Sequence, residues 1–277
     1  MANRILVTGA NGYLGKHVTK ELLSKGLDVV ACDINFDNLP DSVEKLNVNI
    51  FDSSNDIFSL AGHPDKLIHL AWRNGFQHNS PTHMQDLPLH IAFIDNMINS
   101  GLKSVTVMGT MHEVGYWEGA IPADAPTNPQ SLYGIAKNSL RQAIEVIKNN
   151  KDIVMHWIRG YYITGDDEKS NSVLGKIILA DRQGKEFFPF TSGKNLYDFI
   201  TVEELASQIV ATALQDKYQG IINCCSGNPV SLGERAEQFI KENNLKIKLQ
   251  YGAFPDRPYD SPGVWGDATV INKIMKG

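Results

Sequence analysis

The chain has 277 residues, of which 42% are apolar and 21% are charged, the balance of an ordinary globular protein with a sizeable core. Its formal net charge of −5 excludes the concentrated basic surface that nucleic acid or an acidic membrane requires. We therefore expect neither of them as a partner, whereas a small anionic ligand stays possible.

The start of the chain, MANRILVTGANG, enters a folding motif directly and has no signal-peptide pattern. No apolar run reaches the ~18 residues that a membrane span requires. The three cysteines Cys32, Cys224 and Cys225 cannot all be paired, and we interpret them as reduced thiols. These observations predict a cytoplasmic protein.

Short apolar runs alternate with segments of helical period, which predicts parallel strands between two layers of helices. The first helix, with Leu14, Val18 and Leu22 on one face, should end at Gly26 in a left-handed C-cap. A second helix from His83 to Gly101 should be delayed or kinked by Pro88. Strands are predicted at 4–9, 27–33, 46–52, 66–72, 104–110 and 153–160.

Beyond residue 165 the alternation loosens. Helices are predicted near 172–182, 202–215 and 231–243, with a strand at 220–226 and an aromatic stretch, EFFPF, before it. This part of the chain is interpreted as a smaller second domain that is interleaved with the end of the first.

The stretch VTGANGYLG places Gly9, Gly12 and Gly15 between the first strand and the first helix. Gly9 permits a tight turn, Gly12 lets a phosphate approach the backbone, and Gly15 permits close packing on the sheet. The spacing is G-x-x-G-x-x-G, which departs from the usual G-x-G-x-x-G. Together with the helix N-terminus, these glycines predict a pyrophosphate site.

Asp33 closes the second predicted strand 18 residues after Gly15, where a carboxylate can bind both hydroxyls of an adenosine ribose. Its charge would repel a 2′-phosphate, so NAD is favoured over NADP. The alternative is that Asp33 is a solvated residue at a strand end.

The segment SLYGIAKNSLRQAIEVIKNN predicts a helix with Tyr133, Lys137, Leu140, Ile144 and Ile147 on its inward face. A lysine on an apolar face needs a partner or a function. One turn from a tyrosine, its charge would lower the phenol pKa from ~10 towards neutrality and make the tyrosine a general acid or base. Alternatively, Lys137 only extends its stem along the core and Tyr133 caps the sheet.

The stretch VMGTMHEVG begins as an apolar strand and then offers Thr110, His112 and Glu113, which carry a hydroxyl, an imidazole and a carboxylate. If the strand delivers these groups to a cleft, they form a proton-handling site. If it does not, they are a polar loop.

These features together resemble the extended short-chain dehydrogenase/reductase superfamily, which contains nucleotide-sugar epimerases, dehydratases and reductases. The resemblance rests on VTGANGYLG, Asp33, Thr110 at the end of the fifth strand and YGIAK. IHLAW is similar to the family's fourth-strand segment, and YDFITVEELA is similar to its R-D-[FY]-I-H-V-x-D-[LVI]-A run. DRPYDSPGVWGDATVINKIM resembles the C-terminal segment whose arginine holds the substrate's diphosphate, here Arg257.

The resemblance implies an α/β fold, with a Rossmann-type doubly wound parallel sheet and a smaller C-terminal α/β substrate-binding domain. Residues 1–165 would form the NAD-binding domain, rejoined by about 198–222, and residues 166–197 and 223–277 the smaller domain. By the same resemblance, Tyr133 is the catalytic acid/base, Lys137 binds the nicotinamide ribose and lowers the tyrosine pKa, and Thr110 orients the substrate oxygen.

The binding residues are carried over in the same way. The implied cofactor-binding residues are Gly9, Asn11, Gly12, Tyr13, Leu14, Gly15, Asp33, Asp52, Leu70, Ala71, Trp72, Tyr133 and Lys137. The implied substrate-binding residues are Trp72, Arg73, Thr110, His112, Tyr162, Lys194 and Arg257.

Departures from the family pattern bear on the reaction. In 4,6-dehydratases an Asp and a Glu follow the threonine, but here Met111 and His112 do, which argues against dehydration. Glu113 comes one position late and is expected only to shape the pocket or lie at its surface. Tyr162 replaces a frequent asparagine and Tyr197 an arginine, which leaves the identity of the substrate open.

The combination favours NAD(P)H-dependent reduction of the C4 ketone of a nucleotide-linked 6-deoxy sugar, and it is most similar to bacterial dTDP-4-dehydro-6-deoxyglucose reductases. The alternative is an NAD-dependent nucleotide-sugar 4-epimerase. A non-catalytic NAD-sensing protein is less consistent with an intact Tyr133 and Lys137. His78, His83 and His112 match no compact metal-ligand spacing, so no metal is expected. The resemblance also implies a homodimer that is formed through the YGIAK helix.

Overall fold

A computed structural model describes residues 4–165, 172–256 and 260–277. The strands are β1 Ile5–Thr8, β2 Val29–Asp33, β3 Glu44–Asn47, β4 Lys66–His69, β5 Ser104–Met108, β6 Gly119–Ile121, β7 Val154–Gly160, β8 Tyr162–Thr164, β9 Phe187–Pro189, β10 Leu196–Thr201, β11 Gly220–Cys224, β12 Pro229–Ser231, β13 Lys248–Gln250 and β14 Gly263–Gly266. The helices are α1 Gly15–Ser24, α2 Ile57–Leu60, α3 Thr82–Asn99, α4 Leu132–Ile147, α5 Val173–Arg182, α6 Val202–Leu214, α7 Leu232–Glu242 and α8 Thr269–Lys276.

The large sheet has seven parallel strands in the order β11-β7-β5-β4-β1-β2-β3. From β1 the chain builds outward through β2 and β3, then crosses to β4 and builds outward in the other direction. This doubly wound order confirms the predicted fold class. The strand order reverses between β1 and β4, and at such a point the loops diverge and leave a crevice at the carboxyl ends of the strands.

Helices cover both faces of this sheet. Successive side chains of a strand point to opposite faces, so Ile5 and Val7 of β1 pack in one buried cluster and Leu6 in the other. Helices α1 and α6 contribute to the first cluster, and α3 and α4 to the second. Among the described residues, no helix is long and apolar enough to cross a membrane.

The first two predicted helices form, with one difference. Gly26 follows α1 in the left-handed region, at φ +70°, and its N–H donates to the carbonyl of Leu23, as predicted. Pro88 was expected to delay or to kink α3; the helix begins at Thr82 and runs through the proline, so its start is not delayed, and a kink stays a prediction.

The third predicted strand, 46–52, is shorter and earlier in the structure. Strand β3 covers Glu44–Asn47 at the edge of the sheet. Residues 49–52 then form a turn, in which the Asp52 N–H donates to the Asn49 carbonyl at 3.1 Å. An edge strand packs on one neighbour only, so its apolar pattern is weak and its ends are poorly specified by sequence.

A smaller sheet has the order β12-β10-β14-β6, with β8 also paired to β10. Strand β10 therefore belongs to this sheet, whereas α6 and β11 return to the large one. The aromatic EFFPF stretch forms β9, which pairs with β13, and α5 and α7 pack around a third buried cluster. The predicted domain boundaries remain a prediction.

Asp198, on β10, links this strand to the turn after β11 and to the end of β14. Its side chain is fully buried and accepts hydrogen bonds from the Ser226 N–H at 2.8 Å and hydroxyl at 2.7 Å. It also accepts from the Gly227 N–H at 3.0 Å and the Gly266 N–H at 3.1 Å. One carboxylate thus fixes the turn after β11 and the end of β14 against β10.

Replacing Asp198 by Asn should lower the free energy of unfolding by about 2–4 kcal/mol, because an amide cannot accept from all four donors. The change is measured as a shift in the urea midpoint. Asp41→Asn is the control, since Asp41 is exposed and forms an ion pair with Lys45, four residues along the chain. It should change stability by less than about 0.5 kcal/mol, and an equal loss in both variants would contradict the role of Asp198.

Candidate active site

A cleft of about 1240 Å³ opens at the carboxyl ends of the central strands. Its walls come from the glycine loop after β1, the ends of β2, β4 and β5, the start of α4 and the segments around β8 and β10. A site for one small molecule occupies ~300–1000 Å³. The cleft therefore has room for a cofactor and a second ligand beside it.

The glycine loop is shaped as the sequence predicts. Gly9 has φ +68°, and a Cβ there would lie 2.6 Å from the Ala71 nitrogen. A Cβ on Gly15 would lie 2.0 Å from the Gly9 carbonyl oxygen, so α1 can approach the loop only through a glycine. Helix α1 begins at Gly15. The positive end of its dipole and the loop amides form a cradle that suits a pyrophosphate.

Asp33, the last residue of β2, lies at the rim of this cradle. Its two carboxylate oxygens accept from the N–H of Asn11 at 2.9 Å and the N–H of Ile34 at 2.7 Å. Asn11 does not line the cleft itself. Its side chain accepts from the Asn38 N–H at 2.7 Å and donates to Asn35, so it fastens the loop after β2 to the glycine loop. Asp33 is therefore held in a fixed orientation for a ribose.

Most of the predicted binding residues meet in the cleft. Those that line it are Gly9, Gly12, Tyr13, Leu14, Gly15, Asp33, Leu70, Ala71, Trp72, Arg73, Thr110, His112, Tyr133, Lys137 and Tyr162.

Two further predicted residues that the structure describes, Asp52 and Lys194, lie outside the cleft, as Asn11 does. Asp52 is exposed in the turn after β3, and its carboxylate accepts from Ser54. Lys194 lines a separate surface depression beside Tyr251. Arg257 lies outside the described residues. In place of Asp52, its neighbours Asn49, Ile50 and Phe51 line the cleft.

Lys137 is 2% exposed, and its ammonium is held by two groups. Nζ donates to the carbonyl of Met108 at 2.6 Å and lies 3.8 Å from the centroid of the Trp72 ring. Burial lowers the pKa of Lys137 to about 7, and the negative charge of Glu113 opposes this shift. The lysine is therefore poised to gain or lose its charge near neutral pH.

Tyr133 lies one turn earlier on α4, with its ring centroid 5.9 Å from Lys137 Nζ. Burial and the Glu113 charge raise the pKa of the phenol, although a hydrogen bond with Thr110 acts in the opposite direction. The expectation that Lys137 brings this pKa towards neutrality does not hold in this structure. The ammonium binds the Met108 carbonyl and the Trp72 face, so it does not offset the burial of the phenol.

Thr110 follows β5 and caps a short 3-10 turn, Met111–Glu113. Its hydroxyl accepts from the His112 N–H at 3.3 Å, and its own N–H donates to Glu113 Oε1 at 2.7 Å. Sequence reasoning missed this use of Glu113, which is fully buried. The spacing T-x-x-E, a capping box, was the available signal.

Histidine and aromatic rings surround the trio of Thr110, Tyr133 and Lys137. The His78 ring stacks on Tyr133 at 5.4 Å and lies 4.4 Å from the His112 ring. His90 stacks on Trp72 at 4.3 Å. Within the described ranges, no group of three His, Cys, Asp or Glu side chains is placed to hold a metal ion.

A buried hydrogen-bonded chain lies behind these rings. The Thr8 hydroxyl is 2.7 Å from His69 Nδ1, and His69 Nε2 is 2.9 Å from His90 Nδ1. Burial lowers the pKa of His69 to about 3, and it lowers the pKa of His90 too. Both rings are therefore neutral, and each can donate through one nitrogen and accept through the other.

The outer part of the cleft carries polar and aromatic side chains. Arg73 donates through Nη2 to Asp86 at 2.8 Å and also through Nε. Tyr162 packs against Tyr197 at 4.5 Å and Phe199 at 5.9 Å between ring centroids. The two departures at Tyr162 and Tyr197 thus lie together and form one aromatic wall.

Comparison with known proteins agrees with this geometry. Residues 5–225 match the model of the NAD dependent epimerase/dehydratase family. The chain is a member of the NAD dependent epimerase/dehydratase family. It is 45% identical over 271 residues to a dTDP-6-deoxy-L-talose 4-dehydrogenase (NAD(+)) of Aggregatibacter actinomycetemcomitans, covering 95% of this chain and 98% of the relative. A dTDP-4-dehydro-6-deoxyglucose reductase of Escherichia coli is 23% identical over 273 residues, covering 90% and 84%.

Solved structures of the family share the fold. A UDP-glucose 4-epimerase of Thermotoga maritima with UDP-glucose superposes with a TM-score of 0.84 at 21% identity, covering 98% of this chain and 91% of that one. A UDP-glucose 4-epimerase of Thermus thermophilus in complex with NAD gives 0.77 at 18% identity, covering 99% and 92%. The likeness to these two structures confirms the Rossmann-type fold, and the NAD dependence of the matched family agrees with the cofactor cradle.

The buried histidines predict how stability depends on pH. Burial lowers the pKa of His69 to about 3 and that of His156 to about 4, so below pH 6.5 the unfolded chain binds more protons than the native one. The free energy of unfolding should therefore fall between pH 7 and pH 5, by about 1–2 kcal/mol for each such histidine. Glu113, whose pKa is raised by burial, acts in the opposite direction.

Urea unfolding of His156→Phe at several pH values measures the share of one histidine. The variant should show a shallower loss of stability between pH 7 and pH 5 than the natural sequence. His63→Asn is the control, because His63 is exposed and has φ +60°, a conformation that asparagine tolerates. A pH slope that is unchanged in His156→Phe would contradict the assignment.

Proposed function

We propose that this enzyme interconverts the C4 hydroxyl and the C4 ketone of a dTDP-linked 6-deoxyhexose with NAD(H), as a 4-dehydrogenase or 4-ketoreductase. The observation that carries the proposal is the composition of the cleft. Thr110, Tyr133 and Lys137 meet there with the NAD cradle, whereas Met111 and His112 occupy the positions of the dehydratase acid and base.

Each residue of the trio has a defined task. When bound, NAD+ would accept the C4 hydride during oxidation and NADH would supply it during reduction. As the phenolate, Tyr133 would take the proton of the C4 hydroxyl during oxidation, and as the phenol it would return that proton during reduction. Thr110 donates a hydrogen bond to the same oxygen and stabilises the charge that develops on it. Lys137, in its ammonium form, would hold the nicotinamide ribose.

The sugar is inferred from the relatives and from the wall of the cleft. The 45% identical relative is named for dTDP-6-deoxy-L-talose and NAD(+). The relative with the name dTDP-4-dehydro-6-deoxyglucose reductase, the activity expected from sequence, is only 23% identical. The aromatic wall of Tyr162, Tyr197 and Phe199 suits the C6 methyl group of a 6-deoxy sugar better than a hydroxymethyl group. We therefore propose dTDP-6-deoxy-L-talose and its 4-ketone as the substrate pair.

Further parts of the proposal concern substrate contacts, domains, location and assembly. Arg73, His112 and Tyr162 would contact the sugar nucleotide, and the domain boundaries predicted above would separate the cofactor and substrate halves. The protein would act in the cytoplasm, which is consistent with its three buried, unpaired cysteines. It would form a homodimer through α4, where Ile135 is 37% and Val146 is 69% exposed.

Tyr133→Phe should reduce turnover by about 10²–10⁴-fold, because the variant keeps the ring but has no proton to exchange. NAD affinity, measured by titration of the protein fluorescence, should change by less than about threefold. Tyr116→Phe is the matched control, since Tyr116 is 55% exposed and does not line the cleft. Full turnover by Tyr133→Phe would refute the mechanism.

The amount of NADH that is formed or consumed for each sugar converted distinguishes the possible activities. With dTDP-6-deoxy-L-talose and NAD, one NADH should appear at 340 nm for each ketone formed, and the 4-ketone should consume NADH in the reverse direction. Conversion to the C4 epimer without net NADH would instead establish an epimerase. NAD binding without turnover of any nucleotide sugar would indicate a sensing protein.

A further inference from the structure

Glu113 lies buried beneath the trio, although its sequence position suggested a pocket or surface residue. Its side chain is 0% exposed, and it closes the 3-10 turn that Thr110 begins. Both the turn and the carboxylate follow β5 directly, at the edge of the sheet where the reaction is proposed to occur.

Among the described residues, the polar groups that contact the Glu113 carboxylate are hydrogen-bond donors or carry positive charge. The Thr110 N–H donates to Oε1 at 2.7 Å, and the Trp157 indole N–H lies 2.9 Å from Oε1 and 3.0 Å from Oε2. The Arg159 guanidinium lies 4.0 Å from Oε2. Burial raises the pKa of Glu113, and the Arg159 charge and the N–H donors of Thr110 and Trp157 oppose that rise. These partners favour the anion over the protonated carboxyl group.

The backbone leaves space for this carboxylate at Gly109. A Cβ at Gly109 would lie 2.2 Å from the Trp157 indole nitrogen and 2.7 Å from Glu113 Oε1. Gly109 directly precedes Thr110, so the strand end, the indole and the carboxylate are packed as one unit. A side chain at position 109 would displace the carboxylate from the Thr110 backbone.

Arg159 also depends on Glu113. It is fully buried, and Nη1 donates to the carbonyls of Pro122 and Ala123 at 3.2 and 3.4 Å. In the part of the chain that the structure describes, Nε and Nη2 have no hydrogen-bond partner. Glu113 thus supplies the counter-charge nearest to this guanidinium, and burial of the pair is tolerated because the charges oppose each other.

The charge of Glu113 extends to the reacting side chains. Burial lowers the pKa of Lys137 and the negative charge of Glu113 opposes that fall, whereas burial raises the pKa of Tyr133 and the same charge adds to the rise. The titratable or charged groups that face Glu113 come from β7, from the residue after it and from α4, and they are Arg159, Tyr161, Tyr133, Lys137 and Arg141.

We propose that Glu113 is a positioning residue of the redox site, whose buried carboxylate fixes the backbone of Thr110 and places a negative charge behind Tyr133 and Lys137. The proposal rests on the roles proposed for Thr110, Tyr133 and Lys137. It assigns to the stretch TMHE a carboxylate that stays ionised and exchanges no proton with the substrate. Glu113 is in this respect unlike the acid or base of a dehydratase.

The first test needs neither cofactor nor substrate, so its outcome is independent of the proposed reaction. Glu113→Gln keeps the shape and removes the charge, so the ammonium form of Lys137 loses support and the lysine pKa falls. In protein with ¹³C- and ¹⁵N-labelled lysine, the NMR titration of Lys137 should move from about 7 in the natural sequence to a value lower by about half a unit or more.

Glu118→Gln is the matched control, since the same substitution then falls on an exposed carboxylate five residues along the chain. It should leave the Lys137 titration unchanged. An unchanged Lys137 titration in folded Glu113→Gln, or an equal shift in Glu118→Gln, would overturn the proposal.

The second test is the pH profile of the C4 oxidation. Removing the Glu113 charge lowers the pKa of Tyr133 as well as that of Lys137, so both limbs of the bell-shaped profile should move towards acid. If the substitution only disturbed the structure, the maximal rate would fall and the pH values of the two limbs of the profile would not change. We expect kcat to fall about tenfold and KM for the sugar to change less than about twofold.

A measurement on the natural sequence keeps the proposal testable if Glu113→Gln does not fold. In protein with ¹³Cδ-labelled glutamate, the Glu113 carboxyl signal should remain that of an ionised group from pH 6 to pH 9. A protonated Glu113 at pH 7 would overturn the proposal, whatever the enzyme's substrate proves to be.

Discussion

The hydrogen bond from Lys137 to the carbonyl of Met108 joins α4 to the end of β5 at 2.6 Å. It places Tyr133, one turn earlier on the helix, against Thr110, two residues beyond Met108 on the strand. Because Lys137 is only 2% exposed, its ammonium depends on the carbonyl and on the face of Trp72. The geometry of the trio therefore depends on keeping one charge in an apolar interior.

The buried Lys137 ammonium is tolerated because the groups around it are either negatively charged or neutral. Glu113 supplies negative charge, although it is itself buried and needs Arg159 and two N–H donors. The histidines behind Trp72 stay neutral, because burial lowers their pKa values well below 6.5. A protonated imidazole at that place would repel the lysine. The site thus places the Lys137 ammonium, whose partners are protein groups, beside histidine rings that carry no charge.

The part of the cleft that binds the cofactor is shaped by close backbone packing and backbone N–H groups of the described residues, and not by ion pairs among them. Gly9 and Gly15 are required because a Cβ at either position would collide with neighbouring backbone. Asp33 is fixed by the N–H groups of Asn11 and Ile34. Since the same loops meet at the reversal of strand order, the cradle and the trio share one cleft.

The sequence by itself determined the parallel α/β fold, the glycine cradle, Asp33 and the pairing of Tyr133 with Lys137, because these features depend on residues close together in the chain or on one helix face. Only the tertiary structure decided the position of Asp52, the separation of Lys194 from the cleft and the burial of Glu113. Their surroundings come from distant segments such as β7, which supplies Trp157 and Arg159. Burial, and with it the direction of the Tyr133 pKa, is a property of those packed neighbours, which local spacing does not specify.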